Sequence, residues 1–210
     1  MAEPISAEAE AAVMYQAVGV ALGHWVQIEQ NLYCIFAGCL GPSCARPDGS
    51  TWTGGTGASS ALYSSIENFR VRVNMITGMI DTLMSFDHPD DIAIKTLWAS
   101  ESKKINKCAG NRNKLAHWEV MMFNDKAPMR RARLMPSMHS REYGELAFKP
   151  EPGFSITDVQ GWGNSFSQAA EKLRPIYTRI ALHERLQGYF KQLVEAQEQN
   201  RQWMLVNPGL

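Results

Sequence analysis

The sequence predicts an all-α fold, an antiparallel bundle of four to five helices with a small β-hairpin or arm inserted after the third helix. Three observations carry that expectation. Apolar residues recur at steps of three and four over most of the chain, stretches rich in Gly and Pro punctuate the pattern at a few places, and the period disappears only from about Glu119 to Pro152. With 210 residues, 45% hydrophobic and 20% charged, the chain is long enough to bury a core of its own. No repeat or low-complexity tract divides it, so residues 1–210 read as a single domain with an insertion at about 119–152.

The elements follow in order. Ser6 is placed to cap a first helix reaching about Leu40, with Val13, Ala17, Val20, Ile28, Leu32, Ile35 and Cys39 on one stripe. Gly41 and Pro42 end it. The following "GPSCARPDGSTWTGGTGA" reads as a loop; its glycines make no phosphate cradle, because no GK[ST] follows and no strand precedes them. A second helix spans about Ser59 to Phe86, where Leu62, Ile66, Phe69, Val73, Ile76, Ile80 and Leu83 form a bundle seam. In "FDHPDD", Pro89 suits the first turn of a third helix, and Asp90 and Asp91 suit the positive end of its dipole. That helix holds Ile94, Leu97, Ile105, Cys108 and Leu115. After the insertion, Ser155 and Asp158 form a capping-box pattern, and a stripe from Val159 through Trp162, Phe166, Leu173, Ile180 and Phe190 continues toward Arg201, with Pro175 expected to kink or divide it.

Charge is balanced in total, with 21 Lys+Arg against 21 Asp+Glu, but not in place. The first thirty residues carry Glu3, Glu8, Glu10 and Glu29 and no Lys or Arg. From Lys103 to Arg141, ten Lys/Arg face only Glu119 and Asp125, a local excess of about eight positive charges that suits a polyanion. The acidic start "MAEPISAEAEAA" lacks the positive region of a signal peptide, and His24, Gln27, Glu29, Gln30 and Asn31 interrupt the most apolar helix, which argues against a membrane span. A cytoplasmic address is expected, with four cysteines as reduced thiols. Cys34, Cys39 and Cys44 are evenly spaced, yet no CxxC pair accompanies them, so they read as small core residues rather than metal ligands. No metal and no cofactor is expected.

The candidate chemistry lies in "RNKLAHW", residues 112–118, late in the third helix. Asn113 and His117 are four apart and share a face, whereas Arg112 lies about 140° from His117 on a regular helix, so its side chain must curl round or the helix must loosen. Spacing alone leaves a bland alternative open: Arg112 paired with an acid, Asn113 solvated, His117 favoured by the helix dipole. His24, His88, His139 and His183 read as structural or exposed, and Arg133 with His139 is a weaker pair of the same kind.

"RNKLAH" resembles the Arg-polar-x-x-x-His signature of the HEPN superfamily, helical domains of many RNA-cleaving toxins, phage-defence proteins and RNA-processing enzymes. The order of parts is similar over about residues 12 to 195: a long first helix bearing "HWVQIEQNLYCIF", a heptad-like second helix, the motif late in the third, and a long closing helix. The resemblance implies a metal-independent endoribonuclease acting at a dimer cleft. His117 would then be the general acid or base, Arg112 the phosphate and transition-state ligand, and Asn113 the residue that orients imidazole or substrate. An imidazole with a reference pKa of about 6.5 suits proton transfer, and a planar, permanently charged guanidinium suits the crowded phosphate. Lys107, Lys114, Arg130, Arg131 and Arg133 are the expected RNA contacts, and Glu29 is a possible support for Arg112 or His117. The partners implied are RNA, a second copy of the chain and a cognate antitoxin such as a nucleotidyltransferase-like protein. The other reading is a non-catalytic helical dimer that binds RNA, a nucleotide or a protein partner.

Overall fold

The computed structural model describes residues 6–41, 43–45, 51–53, 57–84, 88–124 and 130–206. It is all-α with small β additions, as the sequence predicts. In chain order the elements are α1 (Ala7–Leu40), β1 (Ser43–Ala45), β2 (Thr51–Thr53), α2 (Gly57–Ser65), α3 (Phe69–Leu83), α4 (Pro89–His117), β3 (Glu119–Asn124), β4 (Arg130–Met135), α5 (Arg141–Ala147), α6 (Ile156–Ala181) and α7 (Glu184–Val206). The strands form two antiparallel hairpins, β1–β2 with Cys44 opposite Trp52, and β3–β4 with Met121 opposite Arg133. The second is the expected arm. The first falls in the stretch read as a loop, whose remaining residues 42, 46–50 and 54–56, like the side chain of Cys44, lie outside the described residues.

The described chain forms two compact units, residues 1–29 with 103–171, and residues 30–102 with 172–210. In the first, the Trp25 ring meets Phe166 edge-on at 5.5 Å, and Gly163 brings α6 so close to α1 that an added Cβ would sit 3.3 Å from the Ala21 methyl. Phe154 exchanges backbone hydrogen bonds with Leu134 at 2.9 and 3.1 Å, docking the hairpin. Gly153 turns the chain there with φ of +64°, and a side chain at that position would collide with Met135. In the second unit, Tyr63 packs on Tyr33 and Phe36, the Trp98 indole donates to Thr77 at 2.9 Å, and Val73, Ile76, Ile80 and Ile94 are buried. Burial pushes the Cys39 thiol up to about 12.

Local start signals act as read. Ser6 accepts from the Ala9 amide, Pro89 opens α4, and Ser155 and Asp158 bond reciprocally, the Asp158 amide to Ser155 Oγ at 3.2 Å and the Ser155 amide to Asp158 Oδ2 at 2.8 Å. Three details differ. The second helix is interrupted at Ile66–Asn68, because Asn68 accepts from the Val71 amide and starts α3 afresh, and Arg72 Nε donates to the Ile66 carbonyl. Leu62 is consequently half exposed rather than in a seam. The last helix runs through Pro175 and breaks at Leu182–His183, where Gln187 donates to the stranded Ala181 carbonyl and His183 is drawn into a bond with Asp91. On α1 the buried stripe is Met14, Ala17, Ala21, Trp25, Ile28, Leu32, Ile35 and Cys39; Val13 and Val20 instead face a groove of about 230 Å³ beside His24 and Asn164.

Phe166 is fully buried against Trp25, so Phe166→Ala is expected to lower stability by about 3–5 kcal/mol. Urea unfolding followed by circular dichroism measures the shift in midpoint; a change below about 1 kcal/mol would show that this contact does not hold the first unit.

Candidate functional site

The Arg112–His117 motif occupies the last two turns of α4, and the helix stays α-helical through His117 without loosening. The angular gap between Arg112 and His117 is narrowed by the side chain instead. Arg112 Nη1 donates to Asn113 Oδ1 at 3.3 Å, leaning the guanidinium toward the side of the helix that carries Asn113 and His117. Asn113 and His117 are exposed, and Arg112 is half-buried. Its Nε is buried without a hydrogen-bond partner, and among the described residues the guanidinium pairs with no carboxylate. That Nε–H is an unused donor, which an anion beside it would satisfy.

The end of α4 is held by an aromatic cluster. Trp118, which closes the helix by donating its amide to the Lys114 carbonyl at 2.9 Å, stacks on Phe154 at 5.5 Å, and Phe154 meets Trp162 edge-on at 4.8 Å. Because the Phe154 backbone also bonds that of Leu134, one residue ties the motif-bearing helix end to β4 through its main chain and to the start of α6 through its ring. Lys114 Nζ lies 4.8 Å from the Phe154 ring centre and 5.6 and 5.5 Å from those of Trp118 and Trp162. Its charge thus rests on three ring faces, a role the sequence reading did not foresee; signals for it were the Trp118 and Trp162 flanking the insertion.

The other expected contacts are distributed differently. Lys107 is exposed on α4, and Arg131 is exposed on β4. The Arg130 side chain lies outside the described residues; its backbone pairs with Asn124 at the end of the hairpin where the chain passes from β3 to β4. Arg133 is only 5% exposed, with Nη2 3.9 Å from Glu151, so its charge is withdrawn from the surface. Glu29 accepts a hydrogen bond from the Trp25 indole at 3.0 Å, which places it one helical turn from a core aromatic. His88 and His183, read one by one as structural or exposed, stand together around Asp91 in the second unit. Among the described residues no helix is long and apolar enough to cross a membrane.

No family profile, curated protein or solved structure matches the chain.

The burial of Arg133 separates two kinds of basic residue. If RNA lies along this unit, Lys107→Ala combined with Arg131→Ala should reduce the slope of log affinity against log salt by up to about two, whereas Arg133→Ala should leave the slope unchanged and lower stability by about 1–3 kcal/mol. Filter binding of single-stranded RNA at several salt concentrations tests this, and an equal loss of slope in both variants would contradict it.

Proposed function

We propose that the protein is a metal-independent endoribonuclease of the toxin or phage-defence type, working as a cytoplasmic homodimer whose two motifs face one cleft. The observation that carries the reading is an exposed His117 and an Arg112 bonded to Asn113 on one helix end, held by the Trp118–Phe154–Trp162 cluster. The resemblance of "RNKLAH" to the HEPN signature supports it, as does the basic segment from Lys103 to Arg141.

The chemistry asks little of the protein. The RNA 2′-hydroxyl attacks the adjacent phosphorus, forming the P–O2′ bond while the P–O5′ bond breaks. The 2′ proton goes to a base, the departing 5′ oxygen takes a proton from an acid, and the products end in a 2′,3′-cyclic phosphate and a 5′-hydroxyl. His117 supplies the proton transfers; with one imidazole per protomer, a composite cleft offers a base from one copy and an acid from the other. Arg112 spreads its fixed charge over the phosphate oxygens as negative charge accumulates, and Asn113, already holding the guanidinium, sets its direction. A cognate antitoxin, such as a nucleotidyltransferase-like protein, would act by covering this face.

His117→Ala should reduce cleavage of single-stranded RNA by about 10²- to 10⁴-fold with the circular dichroism spectrum intact, because the side chain is exposed. Arg112→Lys should also be poor, since a point charge cannot reproduce the planar fork. Wild-type activity should survive EDTA. Activity lost with the chelator, or retained in His117→Ala, overturns the mechanism; wild-type protein that binds RNA without cutting it supports the non-catalytic dimer instead.

A further inference from the structure

The first turn of α4 and the α6–α7 break gather a second polar cluster, within the other unit and unrelated to the motif. Asp91 is fully buried. Its Oδ1 lies 2.7 Å from His183 Nε2, and its Oδ2 accepts from Arg185 Nη2, also at 2.7 Å. Arg185 donates in addition to the Leu83 carbonyl at 2.7 Å, so the carboxylate is held in place from both sides. His183 is 6% exposed, and its other ring nitrogen, Nδ1, is buried with no hydrogen-bond partner. His88, immediately before α4, is exposed, and its ring lies 5.6 Å from that of His183. One potential ligand atom from each of His88, Asp91 and His183 falls within 4.8 Å of the other two.

We infer that His88, Asp91 and His183 form a binding site for a divalent transition-metal ion of the zinc class. Two imidazoles and one carboxylate are a donor set that suits zinc, cobalt or nickel rather than magnesium or calcium, which take oxygen ligands. Two of the three side chains are fixed by burial, so little ordering remains to be done when the ion arrives. The third stands at the surface, where the ion enters and water completes the coordination. The ring nitrogen that faces Asp91 is Nε2, 2.7 Å from Oδ1, so the ion would take the place of the proton these two atoms share. His88 Nδ1 accepts from the Asp90 amide at 3.3 Å, and Asp90 Oδ2 stands 3.8 Å from the same nitrogen. The charges nearby are Asp90 and Asp91 against Arg179, 3.8 Å from Asp90, and Arg185. Arg185 holds Asp91 Oδ2, which leaves Oδ1 as the oxygen for the ion, and Arg179 is about half exposed.

The site is tested on full-length, tag-free protein dialysed against EDTA and titrated with Co²⁺, following ligand-field absorption, with Zn²⁺ as competitor. One Co²⁺ per chain is expected, displaced by Zn²⁺, with Zn²⁺ raising the melting temperature. His88→Ala removes an exposed ligand without touching the buried pair; it should weaken Co²⁺ binding by about 10- to 100-fold or more and abolish the thermal shift, while His139→Ala, a surface histidine of the other unit, should change neither. Absence of stoichiometric Co²⁺ binding in the wild type, or equal binding by wild type and His88→Ala, would overturn the proposal.

Discussion

The architecture depends on the burial of one stripe along α1. Met14, Ala17, Ala21, Trp25, Ile28, Leu32, Ile35 and Cys39 recur at steps of three or four and are all almost inaccessible. Burying a large side chain of this kind stabilises by about 1.5–3 kcal/mol, far more than any surface ion pair in the molecule. In the first unit Trp25 of this stripe packs on Phe166; in the second, Phe36, beside the stripe residue Ile35, packs on Tyr63. Small residues matter beside the large ones: Ala21 and Gly163 let two helix backbones approach where anything bulkier would separate them.

The candidate RNA-cleaving site is built on a rigid base with polar groups left open above it. The last turn of α4 is fixed by Trp118 and Phe154, so the positions of Arg112, Asn113 and His117 are set before any substrate arrives. Arg112 keeps a buried Nε without an acceptor, which is unfavourable in isolation and favourable once a phosphate is present. For the proposed ribonuclease, positioning of this kind would let orientation replace some of the work of further catalytic groups. Asp91 shows the opposite case, a charge wholly enclosed and matched by His183 and Arg185.

What was legible in the sequence was local. The Ser6 and Ser155 caps, Pro89 at the start of α4 and the hairpin beyond His117 follow from neighbours a few residues apart. Asn68 is also a local cap, but it sits inside an apolar rhythm strong enough to hide it. The α6–α7 break is invisible locally, because the partner that draws His183 out of the helix, Asp91, is 92 residues away; Pro175, the obvious breaker, is accommodated in an exposed position. Val13 and Val20 show the same limit, since a long helix with two apolar stripes does not announce which one the core will take. Within the candidate site, the motif itself was legible and its surroundings were not: the withdrawal of Arg133 toward Glu151 and the seating of Lys114 on three rings are tertiary facts.

The central claim is that the substrate's own 2′-hydroxyl is the nucleophile, with the end of α4 supplying proton transfer and charge. The most direct measurement is cleavage of a single-stranded RNA carrying one 2′-deoxynucleotide on the 5′ side of a mapped cut. The account predicts that cleavage stops at that bond while other sites in the same strand are cut as before. Cleavage persisting at the 2′-deoxy position would show that a different nucleophile acts and would contradict the account.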